Sequence, residues 1–322
     1  MQRFAVLGLT LALAAVGAVP QAHADDFPSR TIRLIIGFPP GSAADITARL
    51  VGASMSQTLG QQIVVEARPG AGSSLAAESV ARAPADGYTL FIGTSSNVTN
   101  AVVSTDLRFD FVKDFVPVTT LTGLPLILAV HPSLGVSSVK ELIALAKSKP
   151  NELTYASVGP GTVPHLACEL IGVRTGVKLV HVPYKGSPPA VTDLLGARVS
   201  MMLGVASTIM PHVQSGKLKA LASASAKRPH IAPDVPTIAE AVLPDFEASV
   251  WFGLMTPAGT PRAVIDKLAA AANKALKTDD IADKLKKSGF EPLGGSPDEF
   301  AKFIASESVK WSTAAKAAGL KK

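Results

Sequence analysis

Strand-like and helix-like segments alternate along most of the chain, and this alternation is the feature that most limits its possible folds. In the first third, three short apolar runs are separated by two segments in which apolar residues recur at helical spacing. The predicted strands are 31–37, 62–66 and 89–93, and the predicted helices are 42–59 and 74–82. Neighbouring parallel strands need a crossover connection, usually a helix, so this order predicts a parallel sheet covered by helices.

A second series of the same kind begins after Pro125. Its predicted strands are 126–130, 154–157, 178–182, 200–203, 219–223 and 251–256, and its predicted helices are 138–147, 164–175 and 188–196. Two amphipathic helices, 261–277 and 297–318, close the chain and need a sheet to cover. We therefore predict an α/β protein of two lobes with a cleft between them: lobe 1 is 25–125 plus 252–322, and lobe 2 is 126–251. The chain then crosses between the lobes twice, which makes a hinge.

The first 24 residues have the pattern of a secretory signal peptide. Arg3 precedes an apolar stretch, and Ala22-His23-Ala24 is a small-residue cleavage site. Cleavage after Ala24 removes one basic residue and leaves a net charge of about +5, a weak positive field that favours acidic solutes. Cys168 is the only cysteine, which excludes an intramolecular disulfide. No His, Cys, Asp or Glu cluster has the spacing of a metal site, and we expect no cofactor and no nucleic-acid partner.

The segment GFPPGSAADITAR at 37–49 leads from the first strand into the first helix. Ser42 and Asp45 have the spacing of a helix N-cap and its acidic third residue. A helix N-terminus offers free N–H groups and the positive end of a dipole, where carboxylates and other anions bind. The alternative for Asp45 is that it only complements the helix dipole.

Three further junctions carry polar residues after a strand: 94–97, 159–165 and 184–188, the last two opening helices at Thr162 and Ser187. Open parallel sheets bind ligands beyond the carboxyl ends of their strands, so the four junctions predict a binding cleft. The alternative for Ser42, Thr162 and Ser187 is that each only caps its helix. A G-x-S-x-G elbow, an H-E-x-x-H pair, a phosphate-binding loop and a dinucleotide fingerprint are missing from the sequence, so it predicts no catalytic residues.

The chain resembles the Bug family, the periplasmic solute receptors of tripartite tricarboxylate transporters. The resemblance covers essentially all of the chain after residue 24 and rests on 37–49, on EARPGAGSSLAAESVARAPADGYTLFIGTSSN at 66–97, on HVPYKGSPPAVTDLLGARVSMM at 181–202 and on 234–268. It implies a two-lobed, Venus-flytrap periplasmic binding protein that delivers a carboxylate to membrane permease subunits. The ligand-binding residues that it implies are Phe38, Ser42, Ala43, Asp45, Thr94, Ser95, Asn97, Gly161, Thr162, His165, Tyr184, Gly186 and Ser187.

The chain departs from the family at two positions. Ser42 replaces a glycine that is common there, so a hydroxyl is expected to reach the ligand. Gly204 and Val205 follow the strand where the family often has an acid, which disfavours amino acids and favours a dicarboxylate or an aromatic acid. We expect a monomer. Two other functions remain open at this stage: an accessory that presents its ligand to a membrane sensor kinase, and a periplasmic hydrolase.

Overall fold

The computed structural model describes residues 27–317 and Gly319, so the signal peptide predicted for 1–24 lies outside the described residues. Within that range, none of the helices combines the length and the apolar character needed to span a bilayer. The strands are β1 Ile32–Ile36, β2 Ile63–Ala67, β3 Thr89–Thr94, β4 Phe115–Val130, β5 Thr154–Ser157, β6 Val180–Pro183, β7 Met201–Val205, β8 Lys219–Ser223, β9 Ser249–Pro257 and β10 Glu291–Pro292. The α-helices are α1 Ala43–Leu59, α2 Ser74–Ala81, α3 Ser95–Val103, α4 Val139–Ser148, α5 Val163–Thr175, α6 Ser187–Leu195, α7 Ala206–Gln214, α8 Ile238–Ala241, α9 Arg262–Lys277, α10 Asp279–Lys287 and α11 Pro297–Ala317.

The strands form one curled path in the order β2-β1-β3-β9-β4-β7-β5-β6, and β8 and β10 pair with β4. The first lobe contains β1, β2 and β3, which are parallel, and the second lobe contains β5, β6 and β7, which are also parallel. Where the lobes meet, β4 and β9 run antiparallel to their neighbours. The two-lobed α/β prediction is confirmed, with parallel pairing confined to the outer strands.

The first crossover between the lobes is β4 itself, a strand of 16 residues. Up to Pro125 it pairs with β9, and from Leu126 onward it pairs with β7 and β8. The sequence predicts only the last part of β4, 126–130, as a strand, because prolines and threonines break up the apolar pattern before Leu126. The chain returns through β9, whose first residue, Ser249, pairs with Pro125. The numbered lobe boundaries given above remain a prediction.

Three helices of eight or more residues lie where the sequence predicts none. Helix α3 starts directly after β3 and lacks a clear apolar stripe, α7 contains Pro211, and α10 is short and rich in Lys and Asp. Each of these features makes a helix hard to predict from the spacing of apolar residues. The helix α9 packs against α1 and β4, the helix α11 packs against α3 and β4, and Leu268 and Phe300 are buried.

Candidate functional site

Five junctions at the carboxyl ends of parallel strands face the cleft: β1–α1, β3–α3, β5–α5, β6–α6 and β7–α7. A cavity lies between the lobes at these junctions. It is lined by Phe38, Ser42, Ala43, Ala44, Thr94, Ser96, Val158, Pro164, Ser187, Met202, Gly204, Val205, Val250 and Phe252. Five of the thirteen predicted site residues are among them: Phe38, Ser42, Ala43, Thr94 and Ser187. None of the lining side chains carries a charge.

The start of α1 forms one wall of the cavity. Ser42 is the N-cap, and its Oγ accepts a hydrogen bond from the Asp45 N–H at 3.3 Å. The N–H groups of Ala43 and Ala44 find no acceptor among the residues that the structure describes. Both alanines are buried and line the cavity. This wall therefore presents two free backbone donors and a hydroxyl at the positive end of a helix dipole.

Asp45 belongs to the same helix start but does not line the cavity. Its Oδ2 accepts the N–H of Gly41 at 3.0 Å, and its Oδ1 accepts Nε of Arg49 at 2.8 Å. Both carboxylate oxygens are thus engaged within the first lobe. The structure places Asp45 as an acid that holds the turn before α1.

The start of α3 forms the adjacent wall. Thr94 is the N-cap, its Oγ1 accepts the Ser96 N–H at 2.9 Å, and Asn97 Oδ1 accepts the Thr94 N–H at 3.0 Å. Thr94 and Ser96 line the cavity, whereas Ser95 and Asn97 do not. Asn97 is a capping residue, and within the described residues Nδ2 of Asn97 and Oγ of Ser95 are buried without a hydrogen-bond partner. Ser96 was missed because this segment was expected to be a loop.

The β5–α5 junction differs from its prediction. Thr162 stands at the N-cap position, but its Oγ1 donates to the Gly159 carbonyl at 2.7 Å and caps nothing. Gly161 donates its N–H to His165 Nδ1 at 3.1 Å. Gly161, Thr162 and His165 do not line the cavity. The prediction that Thr162 caps α5 is therefore wrong: its side chain turns back onto its own loop.

This loop instead closes the cleft against the first lobe. An added Cβ at Gly161 would lie 1.9 Å from Oδ1 of Asn100, and one at Gly72 would lie 3.0 Å from Cγ2 of Thr162. Asn100 is fixed by donating Nδ2 hydrogen bonds to the carbonyls of Ala71 and Gly72. We call this contact, formed by Gly72 and Asn100 on one side and residues 159–162 on the other, the interlobe seam.

The β6–α6 junction brings Ser187 to the cavity, but not as a cap. The N-cap position is Gly186, and Ser187 is the first helical residue without a capping bond, so its predicted role as a cap is wrong. The missing side chain of Gly186 leaves room for Pro39 of the first lobe, whose Cδ would lie 2.5 Å from an added Cβ. The Tyr184 hydroxyl donates to Asp193 Oδ2 at 2.7 Å and lies away from the cavity. Burial and this hydrogen bond raise the pKa of Tyr184 to about 12.

Two stacked histidines support the β5–α5 loop from behind. The rings of His165 and His181 are 4.2 Å apart, and Tyr155 stacks on His181 at 4.9 Å. His181 Nε2 lies 2.6 Å from Ser157 Oγ, which also accepts the Gly159 N–H. Burial lowers the pKa of His165, and burial together with the neighbouring His165 lowers the pKa of His181 to about 4. Both rings are therefore neutral at neutral pH, as the hydrogen bond from Gly161 to His165 requires.

The lining residues that sequence reasoning missed are mostly apolar. Met202, Gly204 and Val205 come from the end of β7, and Val250 and Phe252 come from β9. The sequence links Gly204 and Val205 to the ligand only through the acid that the family often has there. Met202, Val250 and Phe252 have the pattern of any buried strand, so only the pairing of β7 and β9 with β4 reveals that they face a cleft. Among the described residues, no group of three His, Cys, Asp or Glu side chains could hold a metal ion.

The whole chain is similar to a known family of receptors. Residues 47–320 match the family described as the tripartite tricarboxylate transporter family receptor. The chain is 37% identical to protein BugT of Bordetella pertussis over 319 residues, covering 98% of this chain and 97% of BugT. Receptors of this family are periplasmic binding proteins and not enzymes.

Two similar solved structures contain a carboxylate. The first, R. palustris Rpa4515 with adipate, is 37% identical with a TM-score of 0.88, covering 91% of this chain and 99% of that one. The second, MatC (Rpa3494) from Rhodopseudomonas palustris with bound malate, is 33% identical with a TM-score of 0.86, covering 89% and 99%.

Proposed function

Since the chain belongs to the tripartite tricarboxylate transporter receptor family, we propose that it binds a small carboxylate without an ammonium group, a dicarboxylate or an aromatic acid. We further propose that it is exported by residues 1–24 and hands its ligand, as a monomer, to membrane permease subunits. The observation that carries the proposal is the interlobe cavity, in which helix starts and hydroxyls meet without any charged side chain. Rpa4515 with adipate and MatC with malate support the ligand class.

The carboxylate is proposed to bind at the starts of α1 and α3. The free N–H groups of Ala43 and Ala44 and the hydroxyl of Ser42 supply donors there. Charge-assisted hydrogen bonds of this kind are about twice as strong as neutral ones. The proposed contact residues are therefore Phe38, Ser42, Ala43, Thr94 and Ser187 from the sequence, joined by Ala44 and Ser96.

An α-amino acid fits this cavity poorly. An ammonium group needs an acidic or carbonyl partner, and none of the lining side chains supplies a carboxylate. Asp45, the nearest acid along the chain, is already bonded to Gly41 and Arg49. Leaving a buried charge unpaired is costly, so binding of aspartate or glutamate is disfavoured.

Titration calorimetry tests the proposal with one panel of ligands on the chain from residue 25 onward. The panel pairs succinate with aspartate and glutarate with glutamate, which differ in the amine, and adds benzoate, adipate and malate. We expect at least one amine-free acid to bind with a Kd near 1 μM, which corresponds to about −8 kcal/mol. Tighter binding of aspartate or glutamate than of every amine-free acid would refute the proposed ligand class.

A further inference from the structure

The strand β9 presents different side chains to the cavity and to the helix α11. Val250 and Phe252 line the cavity. Trp251 lies between them in the sequence, and because side chains alternate along a strand it points to the opposite face of the sheet. Its ring packs there against Phe300 of α11, with the ring centroids 5.5 Å apart. Gly253 belongs to the same face, since a Cβ added to it would lie 2.1 Å from Cζ of Phe300.

A buried carboxylate on α11 holds Trp251 in this position. Glu307 is 6% exposed and lies in the buried stripe of α11 between Ile304 and Trp311. Its Oε2 accepts the indole N–H of Trp251 at 3.2 Å and that of Trp311 at 3.2 Å. The chain has two tryptophans, so one oxygen atom satisfies both indole donors. Because a buried donor and a buried carboxylate are each costly without a partner, the three side chains stabilise one another's positions.

Lys310 adds a second connection between α11 and β9. Its Nζ lies 3.6 Å from Oε1 of Glu307 and 3.6 Å from Oε1 of Glu247, which stands two residues before the first residue of β9. The helix is thus attached to this part of the chain at Glu247 and at Trp251, on either side of Val250 in the sequence. Since α11 also packs against α3 and β4, it gives β9 a fixed support.

We infer that Glu307 is a positioning residue for ligand binding, which acts through Trp251 by fixing the stretch of β9 that lines the cavity. The inference rests on the proposed function and adds to it a residue that does not line the cavity. A wall that is already fixed need not be ordered when the ligand binds, so the anchor increases affinity. Trp311 shares the same carboxylate but belongs to α11 itself, so its hydrogen bond does not hold β9.

The two tryptophans provide a matched pair of variants. Trp251→Phe and Trp311→Phe each remove one indole N–H from the same oxygen of Glu307 and each leave a smaller ring in a buried position. Urea denaturation measures the stability of both, and calorimetry on the chain from residue 25 onward measures their affinity for the acid of the panel above that binds the wild-type protein most tightly. We expect similar losses of stability, with affinity falling about fivefold or more in Trp251→Phe and less than about twofold in Trp311→Phe.

Two results would contradict this expectation in different ways. Equal affinities in the two variants would overturn the inference and leave the carboxylate receptor intact. Absence of binding by every acid of the panel to the wild-type protein would instead overturn the receptor proposal itself.

Substitution of Glu307 separates its hydrogen bonds from the packing of the two rings. Glu307→Gln keeps a side-chain oxygen that can accept both indole N–H groups, whereas Glu307→Ala keeps none. We expect affinity to stay within about twofold of the wild type in Glu307→Gln and to fall about fivefold or more in Glu307→Ala. Asn273→Ala is the control, because Asn273 joins α9 to Gly295 by two hydrogen bonds and does not line the cavity. It should lose stability and keep its affinity; an affinity loss as large as that of Glu307→Ala would refute the inference.

Tryptophan fluorescence supplies a measurement that loss of stability alone does not change. Trp251 is the one tryptophan left in Trp311→Phe, and Trp311 is the one left in Trp251→Phe. We expect the same acid to change the emission intensity of Trp311→Phe and to leave that of Trp251→Phe unchanged, because only Trp251 lies on the strand that lines the cavity. An unchanged emission of Trp311→Phe under conditions in which the acid binds would overturn the inference.

Discussion

The β1–α1 and β5–α5 junctions look alike in sequence and serve different purposes in the structure. Each has a glycine with positive φ, +77° at Gly41 and +73° at Gly161, followed by a hydroxyl residue at the helix start. At the first junction, Ser42 caps its helix and lines the cavity. At the second, Thr162 bonds to its own loop and lies at the seam. A shared local motif therefore does not fix the role, which depends on what the other lobe places opposite.

The two glycines show this difference most directly. No atom lies within 4 Å of a Cβ added at Gly41, whereas one added at Gly161 would overlap Oδ1 of Asn100. Both glycines have a positive φ, but only Gly161 also contacts the other lobe, at Asn100. Substituting alanine at both positions separates two effects on the free energy. One is the backbone strain of a positive φ, which both variants share, and the other is the steric clash between the lobes, which only the Gly161 variant has.

The largest effect is expected from Gly161→Ala. Its methyl group cannot fit against Asn100 when the lobes are closed, so we expect ligand affinity to fall about 30-fold or more, which corresponds to about 2 kcal/mol. Calorimetry with the acid of the panel above that binds the wild-type protein most tightly measures this loss of affinity. Gly41→Ala is expected to change affinity less than about threefold, below 0.7 kcal/mol.

Gly135→Ala is the matched control for this comparison. Gly135 lies in the second lobe with φ +74° and open space around it. All three alanine variants should lose about 1–2 kcal/mol of unfolding free energy, because each places an alanine in the left-handed region. Urea denaturation measures that common cost. If Gly161→Ala bound ligand as well as Gly135→Ala, the seam would not be part of the ligand-bound state.

Ser42→Ala tests the other side of the comparison. The change removes a cap and a cavity hydroxyl, so we expect about 1 kcal/mol less stability and about tenfold weaker binding of the same acid. Ser138→Ala is its control, because Ser138 caps α4 by accepting the Glu141 N–H at 3.2 Å and does not line the cavity. Equal affinity losses in both variants would mean that capping alone, and not ligand contact, explains the effect of Ser42.

Low pH should weaken the second junction selectively, because the first has no histidine. The folded-state pKa of His181, about 4, lies below the ordinary 6.5. The neutral ring is favoured by folding, so its stabilisation is complete above pH 6.5 and is lost as the pH falls towards 4. Unfolding free energies measured across pH 4–7 should therefore rise with pH, and His181→Gln should flatten part of that rise.

His212→Gln serves as the control for the pH series, since His212 is a half-buried residue near the end of α7, outside the stacked pair. It should retain the wild-type slope between pH 4 and 7. A wild-type slope in His181→Gln as well would show that the stacked pair does not titrate with folding in this range. The slopes of the variants are compared with the wild-type slope because carboxylates also titrate near the lower end of the pH series.

Sequence could predict the fold and the location of the cleft because both follow from local patterns. Alternating strands and helices fix parallel pairing, and parallel pairing brings strand ends to one edge. Ser42 was recognisable as a cap for the same reason: three residues of sequence determine the Ser42–Asp45 bond. These inferences need no knowledge of the opposite lobe.

The apolar cavity lining from β7 and β9 and the interlobe seam could not be predicted, because they depend on contacts between residues that lie far apart in the sequence. Val250 faces the cavity only because β9 lies beside β4, and Gly161 meets Asn100 only through the contact between the lobes. Thr162 and Ser42 are equivalent by pattern, and the different orientation of the Thr162 hydroxyl follows from the Gly159 carbonyl in its own turn. In the sequence, apolar lining residues such as Met202 also cannot be distinguished from residues of the hydrophobic core.

Asp45→Asn should have the smallest effect, and it completes the comparison within the first junction. The amide can still accept the Gly41 N–H but loses the ion pair with Arg49, whose side chain is 58% exposed. Exposed pairs of this kind contribute little, so we expect a loss of about 0.5 kcal/mol in unfolding free energy, reduced further by salt. Ligand affinity should stay within about twofold, below 0.5 kcal/mol, because both oxygens already have partners. Arg49→Gln should match it in stability and affinity. A tenfold affinity loss in Asp45→Asn alone would restore Asp45 to the ligand-binding residues and place a charge in a cavity that otherwise has none.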